Sequence, residues 1–161
     1  KKKQQYFDPE INQNYIPYVI ETSIGADRLF LMTLCNAYVD EQSEEKQRTY
    51  LRLHPAIAPV KAAILPLVKK DGLPEKAREI VDLLKYDFNI IYEEAASIGK
   101  RYTRQDLIGT PFCIAVDHQT LEDDMVTIRH RDTTEQERVP IAELHSRLTE
   151  ACSFRRIFEK L

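Results

Sequence analysis

The stretch FCIAVDHQTLEDDMVTIRHRDTTEQERV, residues 112–139, contains one continuous apolar run and then two mixed runs joined by a tight turn. Phe112 to Val116 has no charged side chain, which predicts a central strand that is covered on both faces. Met125 to Arg131 and Thr134 to Val139 flank the turn, which predicts an antiparallel hairpin. The sheet that contains these strands is therefore partly antiparallel.

The residues before this stretch alternate between strand and helix patterns. Ala56 to Val68 is a largely apolar run, Asn89 to Tyr92 is a shorter one, and both predict strands. After Pro74, apolar residues recur at helical spacing, which predicts an amphipathic helix. Ser97 to Ile108 predicts a second, more polar helix that Gly109 ends. Strands that alternate with helices predict parallel pairing through right-handed crossovers.

The residues after the stretch predict one more helix. Pro140 opens it, and apolar residues then recur at helical spacing at Ile141, Leu144, Leu148 and Cys152. From Leu51 the predicted order of elements is β-α-β-α-β-β-β-α. The predicted fold class is therefore α/β, with a mixed five-stranded sheet flanked by helices.

The first fifty residues have a different pattern. Tyr15 to Ile20 predicts a short strand or an edge strand, because aromatic and β-branched residues surround a proline. Ala26 to Val39 is apolar around nearly its whole circumference, which predicts a buried helix that needs a larger partner. Asp40 to Thr49 is charged and lacks periodicity, which predicts an exposed linker that includes Glu44, Glu45 and Lys46. We therefore place a domain boundary near Tyr50, between residues 1–50 and residues 51–161, and expect the chain to begin inside a domain.

Composition excludes several classes of protein. The net charge of the 161 residues is -3, so nucleic-acid binding would have to rest on a local basic patch. Three widely separated cysteines and four scattered histidines lack the spacing of a disulfide framework or a metal site, so we predict reduced cysteines and no metal. No run approaches the roughly 18 apolar residues of a membrane span, and Lys1 to Gln5 is too polar for a signal peptide. We expect a soluble, cytoplasmic protein that makes no membrane contact.

Two segments carry side chains suited to ligand binding. In ETSIGADR, residues 21–28, Glu21 could accept from an ammonium group and Arg28 could clamp a phosphate. Gly25 would let a ligand approach the backbone. The alternative is a helix cap by Thr22 or Ser23 with a glycine needed for packing, and spacing alone favours that alternative.

The second segment is SIGKRYTRQDLIGTPF, residues 97–112. Lys100, Arg101 and Arg104 outweigh Asp106 and give it a local charge of +2 in an acidic chain. Basic groups with an interleaved tyrosine suit an RNA backbone and a stacked base. A solvated helix face explains the same pattern equally well.

VIETSIGADRLFL, residues 19–31, resembles the third signature motif of class II aminoacyl-tRNA synthetases. The resemblance implies that the arginine of the motif, Arg28, contacts the ATP phosphates. It also implies that a Glu-x-Ser-x-Gly arrangement lines the amino-acid pocket of the glycine-specific members. The residues implied for glycine are Glu21, Thr22, Ser23, Ile24 and Gly25, and those implied for ATP are Gly25, Ala26, Asp27 and Arg28.

The second segment, together with residues 115–117 and the turn at residues 132–136, is similar to the anticodon-binding domain of glycyl-tRNA synthetases. The resemblance extends from Tyr15 to about Leu148 and implies that residues 1–50 hold the last strand and helix of a catalytic domain. Related synthetases recognise anticodon bases from the corresponding strand-loop-helix region. The candidate anticodon contacts are therefore Lys100, Arg101, Arg104 and Asp106.

The family resemblance implies an enzyme that activates glycine with ATP and Mg²⁺ and transfers it to tRNA-Gly, and that works as a homodimer. The first and second signature motifs are absent from this sequence, so we expect the chain to be inactive alone, to bind no cofactor and to be monomeric. One alternative is a non-catalytic tRNA-binding or accessory module, but Glu21 and Arg28 are intact. Another is a small α/β enzyme, but the sequence has no glycine-rich phosphate loop and no Ser-His-Asp constellation.

Overall fold

The computed structural model describes residues 4–42 and 47–159. The chain forms two compact units, and the division between Leu31 and Met32 falls inside helix α1 (Ala26–Ala37). The predicted domain boundary near Tyr50 stays a prediction.

The first unit contains a small hairpin. Strand β1 (Tyr6–Asp8) pairs antiparallel with β2 (Gln13–Tyr15), and the rings of Tyr6 and Tyr15 meet edge to face at 5.8 Å. The strand predicted at Tyr15 to Ile20 is wrong, because only Tyr15 lies in a strand and residues 16–20 have no regular structure. Among the described residues, β1 and β2 form a two-stranded sheet, and residues 16–20 do not pair with it.

Helix α1 forms where the sequence predicts a helix, but the prediction that it is buried is wrong. Of its side chains only Ala37 is buried, whereas Phe30, Leu31 and Met32 are each more than 60% exposed. A helix that is apolar all round needs apolar layers on several sides. The described part of the first unit contains no other helix and only the three-residue strands β1 and β2, which cannot supply those layers.

The predicted linker forms a hairpin instead. Strand β3 (Tyr38–Gln42) pairs antiparallel with β4 (Gln47–Leu51), and Glu41 lies opposite Arg48. Thr49 donates to the Asp40 carboxylate at 3.0 Å. Charged and polar cross-strand pairs therefore stabilise a segment that lacks apolar periodicity. Glu44, Glu45 and Lys46, which belong to the predicted linker, lie outside the described residues.

The second unit is built on a five-stranded sheet, and the predicted fold class is confirmed. In spatial order the strands are β6 (Ile90–Tyr92), β5 (Ala62–Pro66), β7 (Phe112–Val116), β8 (Met125–His130) and β9 (Gln136–Pro140). Strand β5 pairs parallel with β6 and β7, and β7, β8 and β9 pair antiparallel. The apolar run at Ala56 to Val68 therefore supplies a shorter strand than predicted, and every residue of β5 and β7 is buried.

Helices cover both faces of the sheet. The helices of this unit are α2 (Leu73–Leu84), α3 (Ile98–Ile108), the short α4 (Thr120–Asp123), α5 (Leu144–Cys152) and the short α6 (Arg155–Phe158). One face packs against the apolar sides of α2 and α5 and forms the main core. The other face has a smaller core, in which Ala63, Leu65 and Cys113 pack against Ile98 and Tyr102 of α3.

The three cysteines are free, and burial raises the pKa of Cys113 to about 12. Across residues 4–42 and 47–159, no helix is long and apolar enough to cross a membrane.

Candidate nucleic-acid interface

Helix α3 carries the basic segment that the sequence singles out. Its last residue is followed by Gly109, whose φ of 81° is a left-handed conformation that favours glycine. A Cβ at Gly109 would lie 2.8 Å from Leu53 Cδ1 and 3.1 Å from the carbonyl oxygen of Leu51. Conformation and space therefore both require glycine where α3 ends.

The predicted contact residues on α3 divide between two sides of the helix. Arg101 is buried, and its guanidinium donates to the carbonyl oxygens of Pro66 at 2.6 Å, Glu93 at 3.2 Å and Leu67 at 3.3 Å. These acceptors lie where β5 and β6 end, so one arginine joins two loops at the carboxyl edge of the parallel strands. The guanidinium of Arg101 therefore forms hydrogen bonds within the protein and does not face solvent.

Lys100 and Arg104 are exposed on the outer side of the same helix. Arg104 forms an ion pair with Glu93 and donates to the carbonyl oxygen of Ala95 at 2.7 Å. No ion pair of Lys100 occurs among the residues that the structure describes. An exposed pair of this kind is worth little to stability, so both cations can bind a ligand at small cost.

Asp106 lies on the buried side and is the centre of a charge cluster. Its carboxylate accepts two hydrogen bonds from Arg129, at 2.8 and 2.9 Å, and lies 3.6 Å from Nε of Arg48. The guanidinium of Arg129 lies over the ring of Tyr102, 4.8 Å from its centroid. Burial raises the pKa of Tyr102, so its hydroxyl stays protonated and can donate.

A groove of about 390 Å³ opens above this cluster, where α3 meets β4 and β8. A volume of this size is at the lower end of small-ligand sites. Among the described lining residues, two guanidinium groups and one carboxylate leave an excess of one positive charge, which favours an anion or an electron-rich base. The lining residues are Gln47, Arg48, Gly99, Tyr102, Thr103, Asp106 and Arg129.

The sheet continues this polar surface beyond the groove. Successive side chains of a strand point to opposite faces, so Thr127 and Arg129 of β8 share the α3 side of the sheet. Arg138 of β9 lies opposite Thr127 and belongs to the same side. The α3 side is therefore apolar under the helix and polar across β8 and β9.

Arg138 is held by two carboxylates at the carboxyl edge of the sheet. It donates at 3.0 Å to Asp117, which follows β7, and at 3.0 Å to Asp123 of α4. Burial by itself would raise the pKa of Asp117, but hydrogen bonds from Arg138 and Thr120 outweigh burial and lower it. The loop after β7 is thus fixed to β9 by charge.

The structure adds Arg48 and Arg129, which the sequence interpretation missed. The sequence contains no signal for the burial of Arg129, because it alternates with Val126 and Ile128 and so lies in the polar register of its strand. Arg48 had no signal either, since it lies in the segment predicted as a linker. Both reach Asp106 only through contacts between distant parts of the chain.

The residues predicted for glycine and ATP lie in the first unit, and every residue of 21–28 is exposed. Residues 21–25 have no helix or strand, and Ala26, Asp27 and Arg28 form the first turn of α1. A Cβ added at Gly25 would meet only the Arg28 side chain, at 3.8 Å, which is an ordinary contact. Within the described residues, close packing therefore does not require a glycine at this position, and both interpretations of the segment stay predictions.

Comparison with known proteins identifies the second unit. The family described as the anticodon binding domain matches residues 61–151. This chain belongs to the anticodon-binding domain family. The matched residues include the whole five-stranded sheet with α2 and α3. Arg48 and Gln47, which line the groove beside the anticodon-binding domain, precede the matched residues.

Curated relatives match over a longer part of the chain. The glycine-tRNA ligase of Bacillus anthracis is 55% identical over 149 residues, which cover 92% of this chain and 32% of the relative. The glycine-tRNA ligase of Borrelia hermsii is 55% identical over 143 residues, covering 88% and 32%. That of Treponema denticola is 50% identical over 162 residues, covering 96% and 36%. The chain thus spans about a third of the length of these relatives.

Proposed function

We propose that this chain is a C-terminal part of a glycine-tRNA ligase and that its anticodon-binding domain binds the anticodon loop of tRNA-Gly. The observation that carries the proposal is the extent of the match. An alignment that covers 92% of the chain must include both the Val19–Leu31 segment and the anticodon-binding domain. An overall identity of 55% along an alignment that spans both segments favours a synthetase over an accessory module that has kept only the domain.

The groove beside α3 is the surface that we propose for RNA. The guanidinium of Arg129 and the ring of Tyr102 offer a stacking platform with a hydrogen-bonding edge, which suits an unstacked base of a loop. The exposed cations Lys100 and Arg104 lie on the same helix and suit the adjoining phosphates. Arg101 and Asp106 would serve the site indirectly, because their bonds hold α3 to the sheet.

The segment at residues 21–28 is our proposal for the glycine and ATP contacts of the full-length protein. Glu21, Thr22, Ser23, Ile24 and Gly25 would line a pocket for glycine, in which a carboxylate pairs with the substrate ammonium. Gly25, Ala26, Asp27 and Arg28 would face ATP, with the planar fork of Arg28 on the phosphates. Their exposure leaves these groups free to bind such ligands.

Among residues 4–42 and 47–159, no three His, Cys, Asp or Glu side chains come together as a metal site. Mg²⁺ usually takes only one or two carboxylates together with phosphate oxygens and water, so we propose it only for the ATP complex of the full-length protein. Glu21 and Asp27 are the only carboxylates of the 21–28 segment, and Glu21 is assigned to glycine.

The similarity to glycine-tRNA ligases also supports proposals about the activity, location and oligomeric state of the full-length protein. The full-length protein would transfer glycine from glycyl-adenylate to tRNA-Gly in the cytoplasm as a homodimer. The rest of that protein would cover the exposed apolar side chains of α1, which include Phe30 and Leu31. This chain alone would be inactive and monomeric.

Binding of the chain to a tRNA-Gly transcript tests the proposal. Affinity should fall at least tenfold, an order-of-magnitude expectation, when the anticodon bases are changed. Equal binding to both transcripts, or no binding, would contradict the anticodon-binding role.

A pair of double variants tests the proposed surface. Lys100→Ala with Arg104→Ala should weaken binding by about tenfold, because two phosphate contacts are lost. Arg78→Ala with Lys85→Ala removes the same charge from α2, on the opposite side of the sheet, and should leave affinity within about twofold. Equal losses in the two double variants would show a general charge effect and contradict this surface.

A further inference from the structure

Arg48 lies outside the matched domain yet forms part of the groove floor. It is on β4 of the hairpin that precedes residues 61–151, and its side chain is 15% exposed. Its Nη2 donates to the carbonyl oxygen of Arg131, and its guanidinium lies over the ring of Tyr50, 4.0 Å from the centroid. These contacts hold one guanidinium of the hairpin beside α3 and β8.

The polar contacts of Arg48 are incomplete. Its Nε is buried, and among the described residues it has no hydrogen-bond acceptor, since Asp106 lies at 3.6 Å. Arg129 already occupies both oxygens of Asp106 at hydrogen-bonding distance. A buried donor without an acceptor is destabilising, so Asp106 does not fully satisfy this guanidinium, which also lines the groove. Among the described residues, Asp106 is therefore shared by two guanidinium groups, with Arg129 at hydrogen-bonding distance and Arg48 farther away.

We infer that Arg48 binds a phosphate of the RNA that occupies the groove, so that strand β4 is part of the RNA-binding site. The inference rests on the proposed function and extends it to a segment outside the anticodon-binding domain. A phosphate fits because guanidinium donors match its oxygens, and because the groove has an excess of positive charge beside a stacking platform. The buried Asp106 keeps the two arginines close together despite their like charge.

The test is the salt dependence of tRNA-Gly binding by the 161-residue chain and its variants. Loss of one phosphate contact lowers the slope of log K against log salt by about 1. Arg48→Gln should show this lower slope and bind about tenfold more weakly at low salt. Arg52→Gln removes the same charge from an exposed position just after β4 and should keep both the slope and the affinity of the parent.

A purely structural role would lower the melting temperature of Arg48→Gln without changing the slope, and that result would overturn the inference. If Arg48→Gln does not fold, Arg48→Lys decides, because it keeps the charge and should keep the parent slope with weaker binding. A lower slope in the folded lysine variant would overturn the inference too. Absence of binding by the parent chain would overturn the proposed function as well, whereas parent binding with an unchanged Arg48→Gln slope would overturn this inference alone.

Discussion

The segments at residues 21–28 and 97–109 both contain charged residues and glycines, but they differ in the burial of their side chains and in the space around their glycines. In the first, every residue is exposed, and Gly25 has space around its Cα. In the second, Arg101, Gln105 and Asp106 are buried, and Gly109 has no space for a side chain. The difference shows that a charged motif indicates which residue types could bind a ligand. The fold then determines which of those side chains are exposed and which form bonds inside the protein.

The largest effect should come from Asp106. Asp106→Ala removes the carboxylate that two guanidinium groups share and leaves Arg129 buried without its partner. We expect a loss of about 3–5 kcal/mol in the free energy of unfolding, measured by urea titration. Asp82→Ala breaks an exposed pair with Lys85 and should cost less than about 0.5 kcal/mol. If Asp106→Ala lowered the free energy of unfolding as little as Asp82→Ala does, the buried charge cluster would not stabilise the second segment.

Arg28→Ala should have the opposite profile. Because Arg28 is exposed, the free energy of unfolding of this chain should change by less than about 0.5 kcal/mol. In the full-length protein the same change should reduce glycine-dependent pyrophosphate exchange by about a hundredfold, since a group that stabilises the transition-state charge is lost. Lys85→Ala is the matched control for both assays. Normal exchange would leave Arg28 without a role in ATP binding.

Arg101 and Arg104 test the contrast within one helix. Arg101→Met leaves three carbonyl oxygens without this donor and should cost about 2 kcal/mol of unfolding free energy. Arg104→Met loses an ion pair in which Arg104 is 45% exposed, and should cost less than about 1 kcal/mol. Urea titration of both variants measures the difference. A reversed order would mean that the buried bonds of Arg101 do not stabilise the loops.

The smallest effect concerns the pH dependence of stability at the carboxyl edge of the sheet. The lowered pKa of Asp117 contributes stability above the unfolded value of about 3.9, and this contribution is lost as the pH falls through the folded pKa. Arg138→Met removes a donor that lowers this pKa. The parent should therefore lose more stability than the variant between about pH 6 and about pH 3, by less than about 1 kcal/mol. Parallel losses in the two proteins would contradict the role of Arg138.

Local signals in the sequence predict most of the fold of the second unit. Phe112 to Val116 has no charged residue because both faces of β7 are covered, and Gly109 ends α3 because its φ is positive. The hairpin at β3 and β4 was missed because its cross-strand contacts, such as the hydrogen bond from Thr49 to Asp40, join residues that are neighbours only after the strands align. A pattern along one strand does not contain that information.

The candidate site was predicted in part for the same reason. The sequence located the basic helix, and α3 does carry Lys100 and Arg104 on its exposed side. It could not show that Arg101 is buried, because the acceptors for that side chain are backbone oxygens at Pro66, Leu67 and Glu93. Every residue has a backbone carbonyl oxygen, so the sequence does not show which of them accept hydrogen bonds. The charge of an arginine therefore could not distinguish a ligand contact from a structural hydrogen bond.

Arg131 fixes the segment between β4 and β5, and this should slow the local opening of that segment. Its buried guanidinium donates to the carbonyl oxygens of Leu53 at 2.7 Å and Gly109 at 2.6 Å, and thereby fastens the chain between β4 and β5 to the end of α3. That segment has no strand or helix of its own, yet Leu53 and Ala58 are buried. Its amide hydrogens, such as that of Ala58, should therefore exchange with solvent as slowly as those of the sheet, and a protease should cut there only when the whole unit opens.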